Sequence, residues 1–249
     1  LYKLLGPRLR SAITLYANIN RGTRDRSPRG FAERAKEACE AGFHSIKIAP
    51  FDNFNRANAY SQSGRDAFSQ ALDRIMAVRD AIGFDRRLMI DCHCRFDTAS
   101  ALRFLDATQS VRIDWFEDVL PYRDLAGWEH LRGVTRAPLV GGETARGIRD
   151  LVPFMERGIW DVVMPDIRFF GGVSELVALA PLAEQYGVRI APHNPRGPVA
   201  TLASAHAMAG CAIFEHLEYQ FRECDWRDAL TRHSEHIIDG ELHLKETPG

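Results

Sequence analysis

Apolar and β-branched residues gather in short runs at 13–16, 45–48, 88–91, 113–117, 139–143, 161–166, 189–193 and 213–219. Longer stretches between them repeat apolar residues every three or four positions. One carries Phe68, Ala71, Leu72, Ile75, Met76 and Ile82, and another Val173, Leu176, Val177, Ala180 and Ala183. The first period predicts strands and the second amphipathic helices. Gly42, Gly83, Gly158 and Gly187 stand where helices should stop before the next strand. Polar residues closing successive runs fall at 91, 117, 143, 166, 193 and 218, at spacings of 26, 26, 23, 27 and 25. Eight near-equal β/α units in this length predict a closed parallel (β/α)8-type barrel rather than a doubly wound sheet. The Asn- and Ser-rich segment 51–63 reads as a long loop after the second strand.

Composition narrows the function classes. The 249 residues are 45% hydrophobic and 26% charged, ordinary for a globular chain and unlike disordered or disulfide-stapled ones. A net charge of −1 provides no broad positive field for nucleic acid or an anionic membrane. No apolar run approaches the roughly 20 residues that span a bilayer, and residues 1–10 lack the pattern of a signal peptide. Five scattered cysteines, Cys39, Cys92, Cys94, Cys211 and Cys224, argue for free thiols and a cytoplasmic location. Cys92-His93-Cys94 could be half of a zinc site. With no second Cys pair at ligand spacing, small residues ending a buried strand are the better reading.

In such a barrel the C-terminal strand ends face the active site. Asp91, Glu117 and Glu143 close three consecutive strands. Three converging carboxylates repel one another unless a cation sits among them, and an all-oxygen set suits Mg2+ before Zn2+. Rim acids that cap helices or pair with arginines are the alternative. Other strand ends carry proton-transfer candidates: Lys47 on the second, His93 two residues beyond Asp91, Asp166 on the sixth and His193 on the seventh. A hydrogen bond from Asp166 would fix the His193 tautomer and raise its basicity. A nearby cation would lower the Lys47 pKa, unless Lys47 is a plain surface lysine. Arg196, between Pro195 and Gly197, could meet a substrate anion, but a loop arginine is usually solvated and is left out of the set.

The order of motifs resembles the mandelate racemase/muconate lactonizing branch of the enolase superfamily. It is carried by Gly-Phe-x-x-Ile-Lys (42–47), Ile-Asp-Cys-His (90–93), Trp-Phe-Glu-Asp (115–118) and Gly-Gly-Glu (141–143). Met-Pro-Asp followed by Gly-Gly-Val-Ser-Glu (164–175) and Ala-Pro-His-Asn-Pro-Arg-Gly-Pro (191–198) complete it. The resemblance implies a modified (β/α)7β barrel over 11–238 and a Mg2+ site of Asp91, Glu117 and Glu143. It also implies an Asp166–His193 dyad and an electrophilic Glu218 on the eighth strand. Glu215, three residues away, is the fallback for Glu218; alternation along the strand puts the two on opposite faces, so only one can point inward. Residues 1–10 resemble the linker leaving an α+β capping domain, which would then be missing, and 239–249 looks clipped.

Many members of that branch carry Lys-x-Lys on the second strand, whereas here Lys47-Ile48-Ala49 lacks the second lysine. The remaining one-base pattern, with His93 as a proton donor, resembles acid-sugar dehydratases of the galactonate dehydratase type. The superfamily's general scheme pairs a Lys or His base with one or two Mg2+ ions. It implies that His193 removes the α-proton of a small-molecule carboxylate, His93 assists loss of the β-hydroxyl, and Lys47 and a protonated Glu218 share the developing charge. A racemase or epimerase, a hydroxy amino acid dehydratase, and a truncated barrel without turnover are the alternatives. Members of the branch often assemble through barrel surfaces, so a homo-oligomer is an open expectation.

Overall fold

In a computed structural model, the protein is described over residues 1–232 and 235–245. Seven helices alternate with eight parallel strands: β1 (Ala12–Asn18), α1 (Pro28–Glu40), β2 (Ser45–Ile48), α2 (Gln62–Ile82), β3 (Arg87–Asp91), α3 (Thr98–Ala107), β4 (Trp115–Glu117), α4 (Leu125–Val134), β5 (Leu139–Gly141), α5 (Ile148–Glu156), β6 (Val162–Val163), α6 (Gly172–Gln185), β7 (Arg189–Ile190), α7 (Pro198–Met208) and β8 (Leu217–Gln220). Each strand from β1 to β6 pairs in parallel with the next, and β8 pairs with β1. The seam between β7 and β8 has no regular ladder. There a single bridge joins Ile190 to Phe214, with Glu215 N donating to Ile190 O at 2.9 Å.

Among the described residues no α-helix follows β8, only a single 3-10 turn at Arg227–Leu230. The chain instead enters the hairpin β9 (Ile237–Ile238) and β10 (Glu241–His243), and β10 lies antiparallel against the first half of β1. The expected 239–249 segment thus begins inside the sheet, and residues 246–249 lie outside the described residues. At the other end, Leu9 N and Arg10 N both donate to Ala209 O, tying the first ten residues to the end of α7. Among the described residues no helix is long and apolar enough to cross a membrane, and all five cysteines are free.

The core has two parts. A small cluster of Tyr16, Met89, Trp115, Val140, Val162, Met164 and Ala191 plugs the barrel interior, drawn from β1, β3, β4, β5 and β6 and from the residues just past β6 and β7. A larger cluster fills the layer between strands and helices. Helix starts follow their caps: Ser27, Ser61, Asp97 and Asp124 each accept from a backbone N–H of the first turn.

The loop after β2 is held firmly at the C-terminal end of the strands. Phe51 and Phe54 pack against Phe96 at 4.9 and 4.8 Å between ring centres. The Arg95 guanidinium donates to the carbonyls of Phe51, Asp52 and Phe54. Such a pinned segment shapes a site without acting as a hinge.

Candidate active site

Period-two alternation builds the site directly above the apolar plug. Two positions beyond Tyr16, Met89 and Trp115, on the same faces of their strands, stand Asn18, Asp91 and Glu117. The same step leads from Met164 to Asp166 and from Ala191 to His193. Asp91 and Glu117 lie in register across the β3–β4 pair. Glu143, Asp166 and His193, by contrast, lie two or three residues past the regular ladders of β5, β6 and β7. Pro165 and Pro192 lack the N–H that would extend those ladders. Gly142, at φ 104°, turns the chain out of β5.

Lys47 sits beneath the mouth. It is fully buried, its Nζ 2.7 and 2.9 Å from the two oxygens of Glu117, 3.2 Å from Glu218 and 4.9 Å from the centre of the Tyr16 ring. Burial opposes its charge, but Glu117 and Glu218 outweigh burial and raise its pKa well above the ordinary value. Full burial shows that it is not a surface lysine, and its nearest neighbours are carboxylates. With its ammonium committed to them, Lys47 balances charge from below rather than reaching into the mouth.

Glu218 is the second carboxylate beside Lys47. Its Oε1 accepts from Asn18 Nδ2 at 2.7 Å and Gln220 Nε2 at 3.0 Å, and its Oε2 from Asn194 N at 2.7 Å. Burial alone would favour the acid, yet Lys47, His193 and these donors hold it down to about 2. In this packing both Glu218 oxygens accept hydrogen bonds. The fallback residue Glu215 lies before β8, outside the strand, and pairs with Arg87 and Arg189 at 2.8 and 3.0 Å.

Two histidines stand on opposite sides of the mouth, four strands apart. His193 Nδ1 is 3.0 Å from Asp166 Oδ2, and its Nε2 is 2.9 Å from Glu143 Oε2. Carboxylates at both nitrogens require a proton on each. Against burial, Glu218, Asp166 and Glu143 push the imidazole up to about 10. His93, at φ 48°, turns back so that its Nε2 lies 3.0 Å from Asp91 Oδ2 while its N–H donates to Asp91 Oδ1 at 2.9 Å. Asp91 raises the His93 pKa, and His93 helps hold Asp91 down to about 2 against burial.

Each of the three expected metal-binding carboxylates thus faces its own cation: Asp91 His93, Glu117 Lys47 and Glu143 His193. Among the described residues, no three His, Cys, Asp or Glu side chains converge as a metal-holding group in this packing. Lone carboxylates in a poorly solvated mouth turn to the nearest positive charge.

Several participants escape the strand-end pattern. Asp118 is buried at φ 42°, its carboxyl pushed well up by burial and then by Glu143 and Asp91. Asn18, Asn194 and Gln220 supply the donors around Glu218. The inward parity of Asn18 and Gln220 could have flagged both. Arg196 Nη2 reaches Asp166 Oδ2 at 3.0 Å, so this loop arginine belongs beside the dyad.

Comparison with known proteins matches residues 30–249 to the family described as enolase C-terminal domain-like. The chain belongs to that family. This enolase-like barrel is 33% identical over 201 residues to a D-gluconate dehydratase of Thermoproteus tenax, covering 80% of the chain and 39% of that protein. It is 30% identical over 258 residues to a D-galactarolactone cycloisomerase of Agrobacterium fabrum, covering 99% of the chain and 64% of that protein. Among solved structures, a mandelate racemase/muconate lactonizing enzyme-like protein from Rubrobacter xylanophilus superposes with a TM-score of 0.87 at 29% identity, over 98% of this chain and 67% of that one. The chain thus spans less than two thirds of the length of these two curated relatives.

Proposed function

We propose that this enolase-like barrel carries the catalytic face of a Mg2+-dependent carbon–oxygen lyase. Its substrate class is a sugar acid or related 2,3-dihydroxy carboxylate, and its first step is removal of the proton next to the carboxylate. The observation that carries the reading is the pair of histidines across the mouth, His193 oriented by Asp166 and His93 held by Asp91. Similarity to a D-gluconate dehydratase supports the same class.

The donor chemistry of the mouth fits a hard divalent cation. Asp91, Glu117, Asp118, Glu143, Asp166 and Glu218 share it with Lys47, His93, His193 and Arg196. If all were ionised, six carboxylates against four cations would leave two negative charges uncompensated. The raised carboxyls of Glu117 and Asp118 reflect burial and then that crowding. Mg2+ held by Asp91, Glu117 and Glu143 would supply the positive charge that stabilises a substrate carboxylate as its α-carbon loses a proton.

The chain's own groups divide the remaining work. With Glu143 among the residues that would hold the cation, His193 Nε2 would be released from that carboxylate. The Asp166 contact fixes Nδ1–H and would leave Nε2 as the base. His93, on the facing strand, donates to the β-hydroxyl as it leaves. Ala49 supplies no second base, so the proton leaves and returns on the His193 face.

Proton NMR in D2O with Mg2+ and a panel of hydroxy acids tests the assignment. His193→Asn should abolish both elimination and α-proton exchange. His93→Asn should block elimination yet permit exchange with retention of configuration. Exchange that persists without His193, or inversion at the α-carbon, overturns the one-base lyase reading and favours a racemase.

A further inference from the structure

Arg196 has more donors than the protein satisfies. Among the described residues its guanidinium makes one hydrogen bond, from Nη2 to Asp166 Oδ2 at 3.0 Å. Its Nε is buried without a partner, although the side chain keeps 23% of its surface exposed. A guanidinium carries five N–H groups in a planar fork. Leaving a buried donor unpaired costs about 1–3 kcal/mol, so such groups are normally satisfied by protein, water or ligand.

The surroundings of Arg196 sort the ligands that could fill this role. Its Cζ lies 5.5 Å from the centre of the Phe169 ring, and Arg168 Cζ lies 4.3 Å from the same ring. Two guanidiniums therefore flank one half-exposed aromatic side chain just past β6. Asp166 is the one carboxylate paired with either of them among the described residues. This sector is locally positive, whereas the rest of the mouth carries excess carboxylate. The Arg196 backbone is itself fixed, its carbonyl accepting from Arg227 Nη1 at 2.8 Å. Placement beside Asp166 sets the fork against the dyad, on the β6–β7 side of the mouth and away from the carboxylates of β3 and β4.

We infer that Arg196 binds a second anionic group at the far end of the substrate, so that this site prefers diacids of the aldarate class over the matching monoacids. The inference rests on the proposed acid-sugar lyase reading and narrows its substrate class. Arg196 is a substrate-contacting specificity residue. Planar, bidentate recognition of a carboxylate is what a guanidinium offers and an ammonium does not.

The experiment uses matched pairs that differ only at the terminal carbon: galactarate with galactonate, and glucarate with gluconate. Calorimetric titration in Mg2+ gives the ratio of affinities within each pair. The parent chain should bind one diacid at least tenfold more tightly than its monoacid. Arg196→Gln should remove that preference and leave monoacid affinity within about twofold, and Arg196→Lys should retain only part of it. Should Arg196→Gln fail to fold, with a collapsed far-UV circular dichroism spectrum, the lysine variant alone decides through its reduced ratio. Equal weakening of both acids assigns Arg196 to positioning Asp166 and overturns the inference. Preference for a monoacid in the parent overturns it while leaving the lyase reading intact. Binding of neither pair overturns the inference, and α-proton exchange on other hydroxy acids then judges the lyase reading separately.

Discussion

The two ends of the barrel hold ionisable clusters of opposite balance. At the N-terminal end, Arg79, Arg87 and Arg189 surround Asp114 and Glu215, with His216 among them. At the C-terminal end, six carboxylates outnumber the cations that face them. The first cluster excludes a proton: burial, then Arg87 and Arg189, depress His216 to about 3. The second gathers protons: Lys47, His93 and His193 are all raised, as are the carboxyls of Glu117 and Asp118. The first carries three arginines against two carboxylates at the end away from barrel active sites, where charge pairs do structural work. The second crowds carboxylates at the end where barrel active sites lie, which makes it the candidate for contact with a ligand.

The largest expected effect breaks that contrast at the carboxylate-rich end. The parent should bind Mg2+ by calorimetry, and Asp91→Asn or Glu143→Gln should weaken binding at least 100-fold. By linkage, Mg2+ at 100 times its Kd should add about 2.7 kcal/mol to the parent's unfolding free energy and little to either variant's. Variants that bind as the parent does would show that the excess carboxylate serves some other purpose. Glu117→Gln is the less clean probe, because it also strips Lys47 of its main partner and strands a buried ammonium.

Much of this layout could be read from the residues. The run 45–48 is β2 to the residue, and Asp91 and Glu117 end β3 and β4 as expected. Parity along a strand survives burial, so inward positions could be assigned without coordinates. The longer runs 161–166 and 189–193 overstate β6 and β7, because Pro165 and Pro192 end the ladders before the functional groups. Protonation states were less legible. Whether Glu218 carries a proton depends on Asn18, Asn194 and Gln220, which three separate parts of the chain bring together. Arg196 was hidden for the same reason, since only the fold sets it beside Asp166.

A smaller effect sharpens the contrast at the arginine-rich end. Arg87 Nη1 lies 3.5 Å from His216 Nδ1, and since arginine only donates, that nitrogen is the bare acceptor. Nε2–H is then left to donate to Ser45 Oγ at 3.2 Å. The folded state thus holds His216 neutral down to about pH 3, whereas an unfolded chain protonates it near its ordinary value of 6.5. As pH falls below 6.5 the unfolded state takes up the proton first, so stability is lost at up to about 1.4 kcal/mol per pH unit. Denaturant unfolding at pH 6.5 and pH 5 should show His216→Gln losing about 2 kcal/mol less than the parent over that interval. Equal losses would mean that His216 is not held neutral by its surroundings.

The smallest effect concerns Glu215, three residues before Glu218 and the other candidate for the site. Its Oε1 pairs with Arg87 and its Oε2 lies 3.0 Å from Arg189 without hydrogen-bond alignment. Those arginine side chains are 33% and 51% exposed, so solvent screens much of the attraction. Glu215→Gln keeps one oxygen for Arg87 and should cost about 1 kcal/mol, less at 1 M salt, where exposed charge pairs are damped. Mg2+ affinity should not change, because nothing at this end contributes to the carboxylate excess above the plug. The matching change Glu218→Gln should act in the opposite place: it disturbs Lys47, Asn18 and Asn194 beneath the mouth, and should weaken both Mg2+ and hydroxy-acid binding. If Glu215→Gln lowered Mg2+ affinity as much as Glu218→Gln, the two ends would be one electrostatic unit and their separation by the apolar plug would count for nothing.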